Sequence, residues 1–273
     1  MRNYYKNSLV IIFILISLFV SFSVFGEQSL YKKSNKELDL LESTVIKRVI
    51  DGDTVKTVDD KTIRILGVDT PEINWDENTA DYYGYKARDF TKEQLLNEKV
   101  YLEYDTEKSD DYGRTLAYIY LNDGQLFNNQ LLENGYAHLM IVKPNNKYEK
   151  KFKKTAKKAR EKKVGIWNRL NQLEEKIPMI SWEKAEKYYG EEVIVKGEIV
   201  NTHKSEEVTY LNFAENYWEI LTIVIFNDDL NKFDYNPANF LKGKQIKVVG
   251  KVKKYEGSAE IVVENPTSIL ISK

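Results

Sequence analysis

IRILGVDTPE, residues 63–72, sets one cation, two carboxylates and a turn proline at the end of a single apolar strand. Alternation of Ile63, Ile65 and Gly67 with Arg64, Leu66 and Val68 predicts a strand buried on at least one face. Pro71 holds Thr70 extended and ends the ladder, so the chain turns where the acids begin. A carboxylate on a rigid strand end is easily held in place. Asp69 and Glu72, with nearby backbone carbonyls, form an oxygen-rich pocket suited to a hard divalent cation. Arg64 beside them points to a phosphate. The plainer reading of a lone VDTPE is ordinary turn chemistry, and the flanking segments decide between the two.

Upstream, Thr44 to Ile50 is β-rich, Asp51-Gly52 is a tight-turn pair, and Thr54 to Val58 resumes an alternating strand, which together predict a hairpin. A second turn at Asp59-Asp60 leads into the strand carrying Arg64. Antiparallel pairing of the second and third strands would bring Asp53 to the same sheet end as Asp69. Downstream, Asn78 to Asn97 reads as a helix, and strands follow at Val100 to Tyr104 and Thr115 to Leu121. Between those strands lies KSDDYGR, Lys108 to Arg114, in which Gly113 permits a left-handed residue and Arg114 arrives at the strand's start. Arg64 and Arg114 could then face each other across a phosphate, each offering a planar fork that never loses its charge. The alternative for Arg114 is a surface ion pair with Asp110 or Asp111.

The composition bounds the class. A chain of 273 residues, 42% hydrophobic, can bury two modest cores. Its 41 basic and 42 acidic residues sum to −1, so charge has to be read by segment. The absence of cysteine excludes disulfides, zinc-thiolate sites and cysteine nucleophiles. Only His138 and His203 are present, with nothing to pair them, which disfavours histidine acid–base chemistry. Residues 1–26 read as a signal peptide: Arg2 and Lys6 are followed by the apolar run Leu9 to Val20 and by small residues Val24 and Gly26 before a cleavage point near Glu27. The competing reading is an uncleaved membrane anchor, since apolar character persists to Phe25 and approaches the ~20 residues that span a bilayer. Residues 27–42 read as a polar, solvated spacer.

Five blocks, VIDGDTV (Val49 to Val55), IRILGVDTPE, DYGRTLAYIY (Asp111 to Tyr120), KPNN (Lys143 to Asn146) and GIW (Gly165 to Trp167), stand in an order and spacing that closely resemble the staphylococcal nuclease, or thermonuclease, family. The resemblance covers residues 43–168. It implies a five-stranded OB barrel with three helices that is secreted or cell-surface associated and cleaves DNA and RNA with Ca²⁺, leaving 3′-phosphate ends. By position, Asp53 and Asp69 resemble the calcium carboxylates, with the Thr70 carbonyl as a further ligand. Glu72 resembles the residue that orients or deprotonates the attacking water, and Arg64 and Arg114 resemble the phosphate-binding pair. Asp51 is similar to an outer acid beside the metal, and Tyr112 to a phosphate or sugar contact. The chemistry agrees: in-line hydrolysis needs charge neutralised at phosphorus, which a metal and two guanidiniums supply without histidine.

The departures concern substrate contacts. Asp111 stands where the family has a lysine, and Met140 and Val142 stand where it has base-stacking tyrosines. Asn146 to Val164 reads as a helix with Tyr148, Phe152, Ala156 and Ala159 on one face. Its lysine-rich remainder is either a phosphate-tracking surface or a solvated one. Trp167 reads as a core plug.

Residues 169–179 read as a linker to a second unit, 180–273. After a short helix from Trp182 to Tyr188, strands are predicted at Glu192 to Val200, Thr209 to Phe213, Ile220 to Phe226, Gln245 to Lys253, Glu260 to Val263 and Ile269 to Ile271, with a helix near Asn236 to Leu241. This pattern, with VIVKGEIV, LTIVIF and GKQIKVVGKV, resembles a nucleic-acid-binding OB fold. It implies stacking of single-stranded bases on Tyr210, Phe213, Trp218, Phe226 or Tyr255. A structural or protein-binding role is the alternative.

The sequence therefore predicts a mainly β, α+β protein with two OB-fold five-stranded barrels in tandem. Its expected role is that of an exported, monomeric, calcium-dependent endonuclease. The rivals are a noncatalytic nucleic-acid-binding protein and a membrane-tethered interaction protein.

Overall fold

The computed structural model describes residues 32–215 and 221–272. The predicted signal segment and Trp218 lie outside the described residues, among which no helix is long and apolar enough to cross a membrane. The elements are α1 (Asn35–Leu38), β1 (Glu42–Val49), β2 (Thr54–Thr57), β3 (Thr62–Ile65), β4 (Gly67–Asp69), the small hairpin β5 (Ile73–Asn74) and β6 (Thr79–Ala80), α2 (Gly84–Leu95), β7 (Lys99–Glu103), β8 (Thr115–Tyr120), α3 (Phe127–Glu133), β9 (His138–Met140) and α4 (Glu149–Lys162). Then come α5 (Arg169–Leu173), β10 (Met179–Ser181), β11 (Glu192–Glu198), β12 (Asn201–Lys204), β13 (Val208–Asn212), β14 (Thr222–Phe226), α6 (Pro237–Leu241), β15 (Gln245–Lys251), β16 (Lys253–Tyr255), β17 (Ser258–Val262) and β18 (Ile269–Ile271).

Strands β1-β2-β3-β8-β7 close a five-stranded barrel. Each neighbour pair is antiparallel except β3 with β8, which run parallel. Its core gathers Ile46, Val55, Ile63, Ile65, Leu102 and Ile119 with Phe127 of α3 and Phe152 of α4, all but removed from water. Burial of this kind contributes about 25 cal/mol per Å² of apolar surface and is the main force holding the barrel.

The strand through Arg64 is shorter than its alternation predicts. It stops at Ile65, and Gly67 to Asp69 peel off to pair with β9. Gly67 makes the break with φ +79°, and a Cβ there would sit 2.5 Å from the Phe152 ring, so only glycine serves. The polar groups freed at the break are satisfied by buried Asn128, whose Nδ2 donates to Leu66 O (2.6 Å) while its Oδ1 accepts from Ile119 N (2.9 Å).

The expected solvated spacer is in part a docked segment. Lys33 N donates to Gly124 O at 2.8 Å, Lys33 Nζ lies 3.0 Å from Glu103 Oε1, and Leu38 is buried in the barrel core. A Lys/Glu-rich composition masked the leucines that anchor it, Leu38 in the core and Leu41 packed against it.

The second unit has its own core, including Val193, Val195, Leu211, Ile223, Ile225, Ile246, Val248 and Ile261. Where the sequence pattern implies a second five-stranded barrel, its strands divide between two sheets, β10-β11-β15-β18 and β12-β13-β14-β17-β16. The division falls where single strands bend. Ile199 N bonds Lys244 O on one side, while the next residue, Val200, bonds Asn212 O on the other. Val252 N likewise turns back to Glu191 O just before Lys253 pairs with Glu260. Within these sheets β14 and β17 run parallel, as β3 and β8 do in the barrel.

Residues expected as a linker form α5, whose Leu170 is buried with Ile194 and Val249 of the second unit. The two units are clamped at the end of α4. Arg160 Nε and Nη2 bond both oxygens of buried Asp234 (3.0 and 2.9 Å), with the guanidinium 4.7 Å from the centre of the Tyr235 ring.

Candidate active site

Three turns bring the predicted acids together. Gly52 lets the β1–β2 turn approach Thr70 so closely that a Cβ would lie 2.6 Å from its side chain, and Thr91 of α2 donates to Gly52 O at 2.6 Å, pinning the turn from behind. Asp53 is thereby buried. Its Oδ2 accepts from Thr70 N (2.7 Å) and Thr70 Oγ1 (3.0 Å), and its Oδ1 accepts from Thr54 Oγ1 (3.1 Å). The antiparallel register of β2 and β3 places Thr54 opposite Arg64. The Arg64 side chain, 14% exposed, runs between the two carboxylates. Nε lies 3.3 Å from Asp53 Oδ1 and Nη2 lies 2.9 Å from Asp69 Oδ1. Its Nη1 donates to the carbonyls of Ile65 and Val68 (2.8 and 2.7 Å), using backbone acceptors freed where the strand breaks. Asp51 sits behind, its Oδ1 accepting from Asp53 N at 3.0 Å.

One arginine is too little positive charge for this set. Burial, and then the Asp53 charge, pushes the Asp51 carboxyl up to about 7. Asp69 is raised by burial and by Asp53, with Arg64 opposing. Exposed Glu72 is raised by burial of its carboxyl end and by Asp53 and Asp69. An oxygen-only donor set with surplus negative charge fits a hard divalent cation. Among the described residues no three His, Asp or Glu side chains converge as a metal cluster. The acids that the fold brings to one cation are Asp53 and Asp69, joined through Arg64.

Arg114 lies across a cleft from Arg64, and both line it together with Tyr112, Asp111, Met140 and Val142. Arg114 also makes the ion pair that the sequence left open, Nε to Asp110 Oδ2 at 2.7 Å, while its backbone N bonds Asp110 Oδ1. That bond fixes the direction of the guanidinium. Tyr112, 85% exposed, stands with its ring centre 5.4 Å from the guanidinium carbon. The KPNN block earns its place through Asn145, which exchanges two hydrogen bonds with the Glu107 backbone and so anchors the loop carrying Arg114. Met140 lies against Arg64, Sδ to Nη2 at 3.7 Å, and Val142 is exposed, so both departures face this cleft.

Sequence reasoning gave no role to Asn128, Asn145 or His138. Their partners are 62, 38 and 69 residues away along the chain, beyond the reach of any periodicity. Trp167 is buried as expected and packs edge-on against His138. In the second unit Phe213 is core, beneath Gly197, rather than a base platform, and Tyr210 is half-buried; Phe226 and Tyr255 are exposed.

A sequence profile described as "Staphylococcal nuclease homologue" matches residues 62–169. Thermonuclease of Staphylococcus intermedius is 43% identical over 142 residues, covering 51% of this chain and 83% of that protein. Thermonuclease of Staphylococcus hyicus is 43% identical over 124 residues, 44% of this chain and 73% of its own length. Endonuclease YncB of Bacillus subtilis is 35% identical over 148 residues, covering 52% and 70%.

Proposed function

The chain belongs to the staphylococcal nuclease homologue family, and from that premise we propose that this nuclease is an exported, calcium-dependent phosphodiesterase acting on DNA and RNA. The observation that carries the reading is the buried Asp53–Arg64–Asp69 network, whose surplus negative charge sits beside a second, fixed guanidinium at Arg114. Asp53, Asp69 and the Thr70 carbonyl would hold Ca²⁺. When bound, it supplies charge neutralisation for the attacked phosphate and order for the attacking water.

The chain's own residues do the rest. Arg114 and Arg64 bind the phosphate oxygens and stabilise the charge that accumulates on them. Glu72, raised above an ordinary carboxyl, is the better base for it, and it orients or takes a proton from the water whose oxygen attacks phosphorus. The P–O5′ bond breaks, leaving a 3′-phosphate and a 5′-hydroxyl. Tyr112 packs against sugar or phosphate at the exposed rim. Asp111, Met140 and Val142 lower affinity for substrate, since base stacking lost at two positions is worth ~1–3 kcal/mol each, and of the three it is Met140 that also touches Arg64. Export rests on Arg2, Lys6 and the run Leu9 to Val20. In the second unit, the pairing order resembles an OB barrel opened into two sheets, and exposed Phe226 and Tyr255 support contact with single strands.

The test is hydrolysis of single-stranded DNA with Ca²⁺ and with chelator, beside Glu72→Gln and Arg114→Ala. The expected outcome is calcium-dependent cleavage, with kcat lowered by ~10³-fold or more in Arg114→Ala. A protein that binds DNA but never cleaves it would return the noncatalytic reading.

A further inference from the structure

The second unit does not sit apart from the catalytic carboxylates. A polar cleft of about 400 Å³ is lined on one wall by Asp69, Glu72 and His138 of the barrel unit and on the other by Lys232 and Asn265 of the second, with Arg169 of α5 between. The turn of 3₁₀ helix at Asn227–Lys232 reaches this position because it packs on β9, and the Arg160–Asp234 clamp lies just beyond it in the chain.

Three features of the cleft are unspent. Among the described residues Lys232 bonds one carboxylate, Asp229 Oδ1 at 2.9 Å, and an ammonium has three protons to give. Arg169 reaches Glu192 only at 3.6 Å, beyond hydrogen-bonding distance, and a guanidinium has five. His138, 7% exposed, keeps Nδ1 buried with no hydrogen-bond partner, which is an uncommon and costly condition for a polar atom.

Resting on the nuclease reading of Asp69 and Glu72, we propose that Lys232 and Arg169, with His138 at the floor, bind a backbone phosphate of a single strand next to the one being cleaved. The second unit is then a wall of the substrate cleft and not an independent module. Asp81 and Glu264 in the same lining disfavour a free anion. They favour a phosphate that arrives tethered, on a strand already held at Arg64 and Arg114. Lysine and arginine on one phosphate give position and not sequence preference.

The test is binding of a fluorescein-labelled oligothymidylate to the full chain in EDTA, by anisotropy over a salt series, for the parent, Lys232→Ala, Lys232→Arg, Arg169→Gln and Lys184→Ala. Lys184 is an exposed lysine of the second unit outside the cleft lining. Loss of one phosphate contact lowers the slope of log K against log salt by about 0.7 for a single strand. The expected result is that drop, with roughly tenfold weaker binding at low salt, for Lys232→Ala and Arg169→Gln. Lys232→Arg should keep the parent slope and Lys184→Ala should match the parent. Under Ca²⁺, KM should rise with kcat nearly unchanged. Parent-like affinity and slope in both Lys232→Ala and Arg169→Gln would overturn the proposal, with thermal melts confirming that the variants are folded. Since binding is read without turnover, a Glu72→Gln protein that still cleaves would sink the catalytic reading while leaving this result standing.

Discussion

One sheet of the second unit, β12-β13-β14-β17-β16, runs in an order parallel to β1-β2-β3-β8-β7 of the barrel, yet the two place opposite kinds of residue at the corresponding point. In the barrel, the first residue of β2, Thr54, faces Arg64 of β3; in the second unit the first residue of β13, Val208, faces Phe226 of β14. Arg64 is pulled in, 14% exposed and shared between two carboxylates, whereas Phe226 stands 47% exposed. The residue before each strand repeats the contrast, buried Asp53 against exposed Glu207. Buried charge is expensive and an apolar substitute is often neutral or better for stability. One unit therefore carries a cost that the other does not, and on the proposed reading that cost lies where chemistry is done. Topology common to both teaches nothing about function; the departure from it does.

The largest effect should come from erasing that difference. Arg64→Met keeps length and apolar stem but leaves Asp53 and Asp69 buried without their cation. Removing one partner of such a network costs about 3–5 kcal/mol, and cleavage should fall by ~10³-fold or more with loss of a phosphate-binding arginine. Urea unfolding in chelator and a cleavage assay read the two losses separately. A variant as stable and as active as the parent would put the two units on the same footing.

The histidines divide in the same way and give a smaller, pH-dependent effect. His203 is exposed and stacked on Tyr210, while His138 is buried and pushed down to about 3 by burial, Lys232 and Arg169. Above the ordinary value near 6.5, both folded and unfolded chains hold His138 neutral. As pH falls from there towards 3, only the unfolded chain takes the proton, so stability is lost across that window. The loss is less than the full ~5 kcal/mol that such a shift implies. Replacing the ring by His138→Gln should flatten this part of the stability profile, and His203→Gln should leave it unchanged. Equal flattening by both would mean that burial does not distinguish them.

How far the sequence discloses all this depends on the distance over which each feature is fixed. The meander, the acid-bearing turn and the helix of residues 149–162 were legible because alternation, Asp-Gly and a 3.6-residue apolar face are local signals. The grouping of Asp53, Arg64, Asp69, Glu72 and Arg114 was legible only because five blocks stood in register with a known family. Leu38 was hidden by the charge around it, and the break after Ile65 was hidden because Leu66 and Val68 are as apolar as a continuing strand would be. The cleft holding Lys232 and His138 carries no sequence signature, since an isolated Lys and an isolated His become a site only when α4 and the second unit are clamped together. The bends at Ile199 and Val252 fall where the predicted strands end, and the strands beyond them, Asn201–Lys204 and Lys253–Tyr255, are silent because they are polar and carry no apolar alternation.

The smallest effect tests whether the second unit's own exposed residue is used at all. Phe226 occupies the place of Arg64, and its ring is half in water, so Phe226→Ala removes limited apolar burial and should cost about 1 kcal/mol of stability. If a base of the bound strand stacks on that ring, the same change loses the low end of base–aromatic stacking, ~1 kcal/mol or about fivefold in affinity. Stacking is uncharged, so the salt slope should stay at the parent value while the whole line shifts, the opposite signature to Lys232→Ala. Anisotropy with the same oligothymidylate in EDTA separates the two. A shift at constant slope would mean that the strand runs from the catalytic acids past Lys232 onto the second sheet. An unmoved line would confine substrate to the cleft wall and leave Phe226 as surface, and the contrast between the units would then be one of active chemistry against passive support.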